Sequence, residues 1–96
     1  MELSIHPLAA KDARKIADTY SSISGELVTR FWHELDATLD MIESAPTQFH
    51  FDDSGLRRAN LRKFPYHILF DEHLDVTRIL VIRHDRRHPS YGLRRR

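Results

Sequence analysis

The 96-residue chain contains no cysteine. That absence excludes disulfide staples, thiolate zinc sites and cysteine nucleophiles, and it suits a reducing cytoplasm, the location expected for this protein. No apolar run approaches the roughly 18 residues of a membrane span, and the N-terminus lacks an apolar signal-peptide stretch, so no membrane association is expected. Glycine is scarce. Its three copies, Gly25, Gly55 and Gly92, stand alone, which leaves no glycine-rich loop to cradle a phosphate. Repeats, linkers and low-complexity segments are lacking too. A chain this short makes one domain, residues 1–96, and its apolar content of 41 % fits a folded protein rather than a disordered one.

What the chain does have is charge, unevenly spread. Residues 1–53 carry four basic side chains (Lys11, Arg14, Lys15, Arg30) and ten acidic ones, a balance of −6. Residues 54–96 carry eleven basic and four acidic, a balance of +7, and the two sum to the net +1 of the chain. Such an asymmetry points either to an anionic partner for the second half or to an acidic helical layer matched internally against a basic sheet.

The pattern of apolar residues predicts the order β-α-α-β-β-β. Glu2 to Ile5 alternates as a short strand. Pro7 suits the first position of a helix, and Ala9, Ala13, Ile16, Ala17 and Tyr20 recur at helical spacing to about residue 22. Ser24 reads as the N-cap of a second helix, whose stripe Leu27, Phe31, Leu35, Leu39 and Ile42 runs to residue 44 before Pro46 stops it. Residues 54–63 read as a strongly basic strand. Phe64, Tyr66, Ile68 and Phe70 then alternate with Pro65, His67, Leu69 and Asp71, a polar connection spans 71–75, and Val76 to Arg83 returns. Four consecutive apolar residues, Ile79 to Ile82, cannot share one face, so 76–83 is expected at the centre of the sheet with both faces covered. The fold class is therefore α+β, a helical hairpin packed on a mainly antiparallel four-stranded sheet, with a mobile basic tail expected from about residue 90.

The chemistry concentrates where the central strand ends, at His84, Asp85, Arg86, Arg87 and His88. His84 and His88 are the one histidine pair at suggestive spacing, and with Asp85 as the sole nearby carboxylate no metal site and no cofactor are expected. The acids are expected on the solvent faces of the helices, away from any catalytic role. A cationic surface remains, built from Arg57, Arg58, Arg62 and Lys63 of one strand and Arg83, Arg86, Arg87 and the tail of another. Guanidinium forks suit anionic partners. The alternative is a solvated basic sheet edge that resists edge-to-edge association.

These residues resemble those of the RelE/ParE superfamily of type II toxin–antitoxin toxins. The likeness covers nearly the whole chain: the first strand, both helices, Leu56-Arg57-Arg58, Phe64 to Phe70, and above all Ile79 to Pro89, similar to the family's closing strand and its ending. It implies a toxin neutralised by a cognate antitoxin, within a higher-order toxin–antitoxin complex. Two mechanisms exist in the superfamily. RelE-like members cleave mRNA on the ribosome without metal, which would assign catalytic roles here to His67, His84, Arg86 and Tyr91. ParE-like members instead bind DNA gyrase, which would make Arg57, Arg58, Arg62, Lys63, Arg83, Arg87 and His88 contacts for target or antitoxin. His67 stands where RelE has an arginine, and that departure favours the ParE-like branch.

Overall fold

Residues 2–96 are described by a computed structural model. Strand β1 (Glu2–Ile5) leads into helices α1 (Pro7–Ser21) and α2 (Gly25–Ser44); β2 (Arg57–Asn60), β3 (Tyr66–His73) and β4 (Val76–His84) follow. Both helix starts have a side-chain cap. The Ser24 hydroxyl accepts from the Leu27 N–H at 3.0 Å, as its position predicts, and the imidazole Nδ1 of His6 accepts from Leu8 N–H at 3.0 Å ahead of Pro7. Each cap satisfies one of the N–H groups that a helix start leaves unpaired.

The sheet order is β1-β4-β3-β2, with β4 parallel to β1 and antiparallel to β3, and β3 antiparallel to β2. The β-α-α-β-β-β order, the two helices and the interior position of β4 match the sequence expectation. The run Ile79–Ile82 is resolved by a β-bulge. Leu69 pairs with Val81 and Phe70 with Ile79, so Leu80 is an extra residue on β4. Ile79 and Ile82 thereby join the helix-side core with Phe31, Ile42, Ile68 and Phe70, while Leu80 and Val81 face the other side with Leu56 and Leu69. Burying one such side chain fully contributes about 1.5–3 kcal/mol.

Three expectations are corrected. The basic strand is Arg57–Asn60 rather than 54–63. Asp52 and Ser54 form a turn before it, with Gly55 at φ +85°, and the carboxylate of Glu34 accepts from the backbone N–H groups of Arg62 and Lys63 after it, holding them out of the ladder. The connection after Phe70 is shorter than 71–75: β3 and β4 stay paired as far as His73 and Val76, with Leu74 at φ 57° in the tight turn between. Arg78 grips Asp71 across this ladder with two bonds of 2.8 and 2.6 Å. The tail, finally, is docked. Tyr91 and Leu93 cover the second apolar cluster, and Leu93–Arg95 forms a 3-10 turn. Among the described residues no helix is long and apolar enough to cross a membrane.

Candidate functional site

β1 pairs with β4 only as far as Ile5–Ile79, where His6 N–H makes the last backbone contact to Ile79 carbonyl at 2.9 Å. Beyond that point one edge of β4 has no neighbouring strand among the described residues, and a buried backbone group without a partner costs about as much as a lost hydrogen bond. Asp12 of α1 and Arg95 of the tail fill the gap. Ile82 N–H donates to Asp12 Oδ2 at 3.1 Å, and Arg95 Nη1 donates to the Leu80 carbonyl at 3.0 Å. Arg95 also grips Asp12 through both terminal guanidinium nitrogens, at 2.6 and 3.3 Å, and the Tyr91 hydroxyl donates to Asp12 Oδ1 at 2.7 Å. Four donors thus meet a carboxylate with about four lone-pair positions. Asp12 is 6 % exposed, against the expectation that the helix acids face solvent. Its place on the Ala9-Ala13-Ile16 stripe was the available signal: a carboxylate on the apolar face of a helix calls for a cation.

The sheet face under the tail carries a second network. Arg83, 6 % exposed, donates through Nη1 to the carbonyls of Pro89 and Tyr91 at 2.8 and 2.9 Å, and through Nε to His67 Nε2 at 2.9 Å. Since arginine only donates, Nε2 of His67 is an acceptor, and Nδ1 carries the proton that it donates to Asp85 Oδ1 at 2.9 Å. Arg58 approaches the same Asp85 oxygen at 3.5 Å. Burial of the ring, opposed by the Asp85 hydrogen bond and reinforced by the Arg58 and Arg83 charges, holds the His67 imidazole below its ordinary value. His67 is therefore neutral, with 1 % of its surface exposed. Burial, with Arg58 adding to it and Asp52 opposing, likewise lowers the Arg83 guanidinium.

The predicted site residues consequently divide. Arg58, His67, Arg83, Arg87 and His88 line one cleft with Asp85. His84, Arg83, Arg87 and Tyr91 line a second one on the helix side, with Lys15 and Tyr66. Arg86 is exposed just beyond, its N–H donating to His84 Nδ1 at 3.0 Å. Arg62 and Lys63 border a groove along α2 with Leu27 and Arg30. Arg57 lies on the edge strand β2, bonded to Glu72 and to the Phe49 carbonyl and stacked 4.2 Å over Phe51. The cations thus line several clefts, two of which share Arg83 and Arg87. Internal neutralisation between the halves is slight as well, since Arg95–Asp12 is the one ion pair joining them among the described residues. No group of three or more His, Asp or Glu among those residues is placed to hold a metal ion.

The model of the ParE toxin of type II toxin-antitoxin system, parDE, matches residues 3–89. The chain belongs to this family. It is accordingly a toxin of the ParE type, and an antitoxin partner comes with that membership. A solved chain of the chromosomal ParDE TA system from P. aeruginosa superposes with a TM-score of 0.77 at 22 % identity, over 88 % of this chain and 95 % of that one. That likeness is one of fold. Among curated proteins none matches the chain. Tyr91 and Arg95, which complete the Asp12 knot, fall outside the segment that the family model covers.

Proposed function

We propose that this ParE-family toxin arrests growth by binding a protein target, with DNA gyrase as the candidate, rather than by cleaving mRNA. The observation that carries the reading is that two of the four groups a metal-free nuclease would use, His67 and Tyr91, are tied into the fold. General acid–base chemistry requires side chains free to exchange a proton with substrate. His67 is buried with both ring nitrogens engaged, and the Tyr91 hydroxyl is spent on Asp12. Arg83 is turned inward onto tail carbonyls. What remains open to a partner is binding surface: Arg86, Arg87 and His88 at the strand end, and Arg62 and Lys63 beside α2. These, with the half-buried Arg58, are the proposed contacts for target or antitoxin, with Arg87 assigned to the target, and capture by antitoxin into a larger complex accounts for neutralisation.

The test is induction of the chain in cells with 5′ ends of mRNA mapped and gyrase cleavage complexes measured in parallel. Stabilised DNA breaks without new mRNA ends are expected. Codon-phased mRNA cuts that disappear in Arg86→Ala, with gyrase unaffected, would refute the proposal.

A further inference from the structure

The mouth between α1 and the end of the β3–β4 pair has cations that no carboxylate among the described residues neutralises. A cavity of about 190 Å³ lies there, its lining including Lys15, Tyr66, His84 and Arg87 together with Ile16 and Ile82. Asp12 is the one acid on its lining, and its oxygens are filled by Arg95, Tyr91 and Ile82 N–H. Neither Lys15 nor Arg87 has an ion-pair partner among the described residues. The Arg87 guanidinium lies 4.0 Å over the Tyr91 ring, which the Asp12 bond holds in place, so the fork is oriented before any ligand arrives. A stacked guanidinium keeps its N–H edges for planar, bidentate recognition, and little side-chain freedom is left to lose on binding.

We propose that this cavity receives the carboxylate of an aspartate or glutamate in an acidic segment of the target protein. Arg87 grips the carboxylate through its fork and Lys15 adds the second charge. The assignment rests on the protein-target reading above. A carboxylate on a short apolar stem suits a cavity whose lining joins Ile16 and Ile82 to the cations, whereas a phosphate diester carries a hydrated sugar on either side. The Tyr66 and His84 rings, paired edge-on with centroids 5.2 Å apart, close the wall of the cavity.

Two measurements test the proposal. In the first, the purified chain is titrated with an end-blocked tetraglutamate peptide and, separately, with a short single-stranded oligonucleotide, while the His84 and Lys15 resonances are followed by NMR. The peptide is expected to shift both, with affinity at least tenfold weaker in the double variant Lys15→Glu/Arg87→Glu. An oligonucleotide that binds the cavity more tightly than the peptide, or a peptide indifferent to the charge reversal, would overturn it.

In the second, growth arrest and antitoxin capture are compared for wild type, the double variant and Lys11→Glu, an exposed α1 change outside the cavity. The double variant is expected to lose at least tenfold in gyrase poisoning while it still co-purifies with antitoxin and melts with a cooperative transition. Lys11→Glu is expected to keep its toxicity. Undiminished gyrase poisoning by the double variant refutes the cavity assignment and leaves the target reading intact. Loss of antitoxin capture with toxicity retained also refutes it, by placing the antitoxin there. Codon-phased mRNA cuts by the wild type would instead remove the target reading itself.

Discussion

The tail side and the helix side of the β4 strand end use the same residue types to opposite effect. On the tail side and at the open β4 edge, His67, Arg83, Asp12 and Arg95 are held in hydrogen bonds of 2.6–3.3 Å, and the Asp12 carboxylate is saturated. On the helix side, Lys15 is exposed and Arg87 is stacked on Tyr91, both without a counter-ion among the described residues. Water explains the difference. A charge removed from solvent must be paired or it destabilises the fold, while one left in solvent is free to meet a partner. Among the described residues every buried side-chain nitrogen and oxygen has a hydrogen-bond partner. The cations near the β4 end therefore form two populations: Arg83 and Arg95, which hold the tail to the sheet, and Lys15 and Arg87, which remain available.

The harshest way to break the contrast is Asp12→Ala. It strands the Arg95 guanidinium, the Tyr91 hydroxyl and Ile82 N–H together, and breaking a buried pair from one side costs about 3–5 kcal/mol. Urea unfolding measures this, and a loss below about 1 kcal/mol would show that the tail is not clamped to α1.

Gly92→Ala acts on the same tail from the backbone. Gly92 sits at φ +83°, and an added Cβ would lie 2.6 Å and 2.8 Å from the two Val81 methyl carbons. Overpacking of that kind costs about 1–3 kcal/mol. Hydrogen exchange should quicken at residues 90–96 while α2 stays protected, and uniform protection would count against the docked tail.

A smaller effect comes from pH. The folded-state value of His67 is depressed, chiefly by burial, so the unfolded chain takes up its proton first as pH falls. Its contribution is fully present above the ordinary histidine value of about 6.5 and is lost progressively below it, down through the depressed folded value. Protonation places N–H donors of His67 and Arg83 against each other, so the tail loosens as the ring titrates. Unfolding midpoints between pH 7.5 and 5 should fall in wild type and stay flatter in His67→Gln. Equal slopes would remove His67 as the sensor.

The helix side predicts the least. Lys15→Ala is expected to change stability by no more than about 0.5 kcal/mol, as for other exposed substitutions. A larger loss in thermal unfolding would mean that Lys15 belongs with the structural cations after all.

Much of the fold follows from local pattern. The two helical stripes, the Ser24 cap, Pro7 and Pro46 locate α1 and α2 to within a residue or so, because capping and periodicity act over a few neighbouring positions. The two-sided run Ile79–Ile82 placed β4 inside the sheet, because only an interior strand gives apolar residues shelter on both faces. The fate of each charged residue was decided elsewhere. Asp12 meets Tyr91 and Arg95 across 79 and 83 residues of sequence, and His67 meets Arg83 across 16. No local rule registers such pairs, since what selects them is the loss of water at a spot that exists only once β1 has ended early and the tail has folded over the sheet. Composition and order thus determined that the chain is a basic-ended α+β domain, and its motifs carried the resemblance to the RelE/ParE kind. Tertiary structure alone decided which of its arginines and histidines hold the fold and which face outward, because desolvation is a property of place rather than of residue.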